Sequence, residues 1–85
     1  MSDDVRQLVG RNVKRLRIAA GISQAKLAER MGVDRAYVSG LELGQRNPTI
    51  VTLWHVGQAL GVKLVSFFAE PRHKTRPRPK LLQKD

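Results

Sequence analysis

The chain has 85 residues, with 16 lysines and arginines against 7 aspartates and glutamates, a formal net charge of +9 and no cysteine. That length suits one small domain, the missing thiols exclude a disulfide framework and a cysteine-based zinc site, and no apolar run approaches the roughly 20 residues of a membrane span. The positive excess favours a polyanionic partner, either nucleic acid or an anionic membrane surface.

Residues 3–20 predict a first helix. Asp3 and Asp4 stand at its positive end, which favours them. Val5, Leu8, Val9, Val13 and Leu16 recur at helical spacing along one stripe, and Gly21 ends the pattern. Ser23 is a good N-cap for a second helix, in which Leu27, Ala28 and Met31 share a face. Gly32 follows where a left-handed turn would stop it. Asp34 caps a third helix, and Val33 is placed to staple onto Val38. Val38 and Leu41 point inward and Gly44 stops the helix. Arg35, Ala36, Ser39 and Gly40 remain on the outer face, with Tyr37 beside them.

After the loop Gln45-Arg46-Asn47-Pro48, Thr49 caps a fourth helix that runs to Leu60. Ile50, Leu53, Val56, Gly57 and Leu60 are expected to face the core, with Gly57 at a close helix–helix contact. Gly61 closes that helix, and Leu64 to Phe68 read as a short fifth one. The prediction is an all-α, compact five-helix domain over residues 1–70. Residues 71–85 hold three prolines and a net charge of +5, against +4 for residues 1–70. They bury too little to fold alone and read as a disordered basic tail. Such a tail is either an arm that adds phosphate contacts or a solvated end with no task. Met1-Ser2-Asp3-Asp4 lacks the segments of a secretory signal, so a cytoplasmic location is expected.

Residues 9–68 resemble the Cro and phage-repressor type of helix-turn-helix domain. The likeness rests on Arg17, Gly21, Ser23-Gln24, Leu27-Ala28, Gly32-Val33, Val38, Leu41-Glu42, Gly44, Asn47-Pro48 and Leu60-Gly61-Val62. The run YVSGLELGQRNPT is also similar to controller proteins of restriction–modification systems. The resemblance implies a repressor-like DNA-binding fold with its helix-turn-helix at helices 2 and 3, the third helix lying in the major groove of double-stranded DNA.

On that reading Arg35, Ala36 and Ser39 are the base-contacting residues. An arginine fork matches O6 and N7 of guanine, an alanine methyl suits a thymine methyl, and a serine hydroxyl specifies weakly. Gln24 sits at a helix N-terminus, a ready anion site, and with Tyr37, Arg46 and Asn47 is expected to hold phosphates. Gly40 cannot read a base and would let the helix sit deeper. Arg17 and Glu42 match family positions that pair across helices 1 and 3, so they read as a structural brace. Trp54, Val65 and Phe68 exceed what so small a core can hold, and Leu43 joins them. Together they suggest the dimer interface of a symmetric homodimer, with recognition helices about 34 Å apart on a near-palindromic operator.

The expected function is therefore a sequence-specific DNA-binding transcriptional regulator. The alternative is an antitoxin that neutralises a toxin and represses its own operon. A third reading keeps the fold as a protein-interaction domain without DNA binding. An enzyme is not expected: paired carboxylates, a phosphate loop and metal spacing are all missing, and His55 has no carboxylate one turn away. No cofactor and no membrane partner are expected either.

Overall fold

Asp4 opens the first helix by accepting a hydrogen bond from the Arg6 backbone N–H at 2.7 Å, and the Arg6 guanidinium closes onto the same carboxylate. These bonds hold the Asp4 carboxyl below its ordinary pKa. The computed structural model describes residues 4–70, in which α1 spans Val5–Ala19, α2 Gln24–Met31, α3 Arg35–Glu42 and α4 Ile50–Leu60, with no strand among the described residues. The predicted tail, residues 71–85, and the predicted helix start at Asp3 lie outside the described residues.

The caps follow the local chemistry. Ser23 Oγ accepts from the Lys26 N–H at 2.9 Å, and Thr49 Oγ1 accepts from the Thr52 N–H at 3.0 Å. Gly32 and Gly61 close α2 and α4 in the left-handed region, which glycine enters without Cβ strain. Asp34 occupies the N-cap position of α3 without a side-chain cap bond.

Each helix gives its inward stripe to one core. Val9 and Val13 come from α1, Leu27 and Ala28 from α2, Val38 and Leu41 from α3, and Leu53, Val56 and Leu60 from α4. Phe67 closes the core from the segment that follows α4. α1 packs on α3 and on that last segment, while α2 packs on α3 and α4. Among the described residues no helix is long and apolar enough to cross a membrane.

Four expectations are corrected. The fifth element, Leu64–Phe68, is a 3-10 turn rather than an α-helix, so the described chain has four α-helices. Its C-terminal end is tied down from a distance in sequence. Asn12, buried on α1, donates to the carbonyls of Phe67 and Ala69 at 2.8 and 2.9 Å, and Arg15 in turn donates to Asn12 Oδ1 at 3.0 Å. Lys63 offers no side-chain cap, and a segment of only five residues closes as the tighter turn.

Val5 and Ile50 do not face the core: both are exposed, because each is the first residue of its helix and overshoots the packed layer. Val33, expected to staple onto Val38, is exposed as well. Gly57 does approach backbone closely, but not that of another helix. A Cβ there would stand 2.9 Å from the Val62 carbonyl, where the chain folds back after Gly61.

Two features of α1 fix the position of α3. Gly10 lets the α1 backbone rest on the end of α3: a Cβ at this position would collide with the Leu41 carbonyl and lie 2.7 Å from that of Glu42. Seven residues on, and so on the same side of α1, Arg17 meets Glu42. Arg17 Nε donates to Glu42 Oε2 at 2.6 Å and Nη2 to Oε1 at 3.1 Å, while Nη1 donates to the Ile22 carbonyl at 2.9 Å. The hydrogen bonds it donates to Glu42 raise the Arg17 pKa above its already high ordinary value, so the guanidinium stays charged. The two side chains are 11% and 3% exposed, so the pair sits largely out of water.

Two stability measurements test this framework. Asn12→Ala strands two carbonyls and should lower the unfolding free energy by about 1–3 kcal/mol in urea titration. Arg17→Met and Glu42→Leu should each cost about 3–5 kcal/mol, since each leaves a buried charge alone. The double variant should cost clearly less than the two added together. Strict additivity would show that the two charges do not act as a pair.

Candidate nucleic-acid interface

α2 and α3 are joined by the three residues Gly32, Val33 and Asp34. The inward side of α3 is spent on packing: Val38, Leu41 and Glu42 are buried there. Arg35 and Ala36 are exposed on its first turn, and Ser39 is half-buried one turn on. The three residues expected to touch bases therefore lie on the outward side of one short helix.

The residues expected to touch phosphate surround that helix in less uniform ways. Gln24 is half-buried, and its amide donates to Glu42 Oε1 at 3.0 Å. Glu42 thus accepts from Arg17 and Gln24 together, joining α1, α2 and α3 at one carboxylate. A second N–H of the Gln24 amide remains for another acceptor. Asn47 is exposed in the loop before α4. Lys26, which adds charge beside Gln24, pairs with Glu29 at 3.3 Å on the surface, a contact of little energetic weight.

Tyr37 packs its ring partly against the core, and the Arg46 guanidinium carbon lies 5.2 Å from the centre of that ring. Cation–π stacking of this kind is worth about 0.5–1 kcal/mol at exposed sites. To reach the ring, Arg46 crosses Gly40. Gly40 is consequently buried, not part of the open outer face expected from helical spacing. The stacking and the Gln24–Glu42 bond were missed in the sequence. A signal did exist for the first: a glycine inside a helix costs about 1 kcal/mol against alanine, so it usually marks a close approach.

On another side of the molecule Trp54 is 54% exposed, Val65 70% and Phe68 41%. Ile50 and Val51 add to the exposed apolar surface of α4. His55 is exposed, and no group of metal-binding side chains occurs among the described residues.

Comparison with known proteins agrees with this geometry. The Helix-turn-helix family pattern matches residues 13–67. The HTH-type transcriptional regulator y4dJ of Sinorhizobium fredii is 48% identical over 62 residues, covering 73% of this chain and 80% of that protein. The control protein C.BamHI of Bacillus amyloliquefaciens is 34% identical over 64 residues, covering 74% and 79%. Among solved structures, the restriction–modification controller protein C.AhdI of Aeromonas hydrophila superposes with a TM-score of 0.71 at 38% identity, covering 74% of this chain and 96% of that one. A pattern that spans most of the chain, and relatives aligned over most of their own length, establish that this protein belongs to the helix-turn-helix family.

Proposed function

We propose that this chain is a sequence-specific transcriptional regulator that binds a near-palindromic operator as a homodimer. In this reading α2 and α3 are the helix-turn-helix, and α3 enters the major groove. The observation that carries it is the two-sidedness of α3. One side is clamped by the core, Gly10 and the Arg17–Glu42 pair. The other presents Arg35 and Ala36 to the surroundings without an acidic side chain in the first turn.

Arg35 is placed to read a guanine edge, with Ala36 and Ser39 beside it. Gln24, Tyr37 and Asn47 are the phosphate contacts, and Arg46 adds its charge to the same flank. The bond from Gln24 to Glu42 supports this role, since it fixes one amide hydrogen and so aims the other. A net charge of +9 supplies the long-range attraction to DNA. Trp54, Val65 and Phe68 form the twofold contact, because exposed apolar groups of this size on so small a domain are best covered by a second copy.

Selection of bound sequences from random duplex DNA should return an inverted repeat with half-sites one helical turn apart. Affinity for that site should fall linearly on a log–log salt plot, with a slope of about −0.9 per phosphate neutralised. Arg35→Ala should reduce discrimination at one base pair of each half-site by about 1–3 kcal/mol. Trp54→Glu should halve the mass seen in sedimentation and abolish tight binding to the full operator. A salt-independent affinity, or a Trp54→Glu protein of unchanged mass, would refute the corresponding part of the reading.

A further inference from the structure

α3 is a poor reader by its own side chains. Along the row that begins with Ala36, the next residue one turn later is Gly40, so the helix offers one methyl and then no side chain at all. Yet Gly40 is buried. A Cβ there would stand 3.0 Å from Arg46 Nε, 3.3 Å from Arg46 Cγ and 3.6 Å from Arg46 Cδ. The stem of Arg46 therefore occupies the space that a residue-40 side chain would fill. Its guanidinium continues to the ring of Tyr37, one turn back along α3. A loop residue thus supplies the functional group that the helix lacks, on the helix's own surface.

The stacking adds orientation to position. A guanidinium is planar, with five N–H donors in a fixed fork. Held against Tyr37 and set across Gly40, the fork is restrained beside the first turn of α3. A side chain meant only to neutralise a phosphate needs neither. We propose that Gly40 is a specificity-determining position: its missing side chain admits Arg46 to the reading face, where Arg46, held by Tyr37, hydrogen-bonds the major-groove edge of a guanine that α3 does not otherwise reach. This rests on the DNA-binding reading above and changes the role of Arg46 within it from backbone contact to base reading.

The test is selection of bound duplexes by the full chain and by Arg46→Ala and Gly40→Ala, followed by affinities for single-base operator variants at several salt concentrations. Both substitutions spare the fold on structural grounds. Arg46 is exposed, and Gly40 does not use the left-handed region. Thermal melts check that they do. The wild-type motif should contain one G·C pair per half-site whose preference drops about 5- to 150-fold in Arg46→Ala, while preferences at other positions persist. Gly40→Ala should erode the same preference, because the new methyl displaces the Arg46 stem. Equal loss of affinity for every sequence in Arg46→Ala, with a shallower salt slope, would make Arg46 a phosphate contact and overturn the inference alone. An unchanged preference in Gly40→Ala would also overturn it. Failure of the wild type to enrich any sequence would instead overturn the DNA reading itself.

Discussion

The carboxylate of Glu42 is where three helices meet. It accepts two hydrogen bonds from Arg17 on α1 and one from Gln24 on α2, and it belongs to the last residue of α3. An acid at a helix C-terminus is unfavourable on its own, because it faces the negative end of the dipole. The guanidinium of Arg17 offsets that. A buried ion pair is weak evidence of stability, since desolvating two charges costs several kcal/mol each. Its value here is directional. Apolar packing of Val38 and Leu41 would tolerate some sliding or rotation of α3. A two-point arginine–carboxylate fork, with the α1 backbone pressed on the end of α3 at Gly10, does not. A helix that must hold its outer side chains in register with base edges needs that kind of restraint.

Much of the fold could be read locally because the signals are local. Ser23, Gly32, Thr49 and Gly61 act through bonds to residues within one turn, so the ends of α2 and α4 followed from single side chains. What failed depends on partners far along the chain. Leu64–Phe68 has enough apolar character for a helix, but it is anchored to α1 by Asn12, 55 residues before Phe67. Helical spacing put Val5 and Ile50 on the inward stripe. Spacing gives a direction around the axis, however, not whether a neighbour extends far enough to cover that turn. Gly10 carried the general signal of a glycine inside a helix, but nothing local names its partner, which is the backbone at the end of α3.

The interface shows the same division. Arg35 and Ala36 were placed correctly on the outside of α3, since the opposite face is defined by apolar residues at helical spacing. Gly40 was misplaced. The periodicity gives its direction, but the residue that covers it lies beyond the turn at Gly44, which sends the chain back over the helix. Gln24 likewise faced a partner 18 residues away that no local pattern points to. The sequence thus discloses which residues leave the core, and leaves undisclosed how the loop folds over them.

These limits bear on why one copy should not suffice. α3 has eight residues, and four of them are buried. Of the others, Tyr37 packs partly on the core and Ser39 is half covered. On the proposed DNA-binding reading, a single domain offers a strong reader in Arg35, a second in Arg46, and weak help from Ala36 and Ser39. A good bidentate contact discriminates by about 1–3 kcal/mol, whereas specific binding exceeds non-specific binding by about 4–10 kcal/mol. Two such contacts give about 2–6 kcal/mol, so one copy reaches the lower part of that range only. In the proposed homodimer, two copies related by a twofold axis through the exposed apolar surface around Trp54 would double the reading without lengthening the helix. The apolar residues that a small core cannot hold and the specificity that a short helix cannot supply are then met by the same act of pairing.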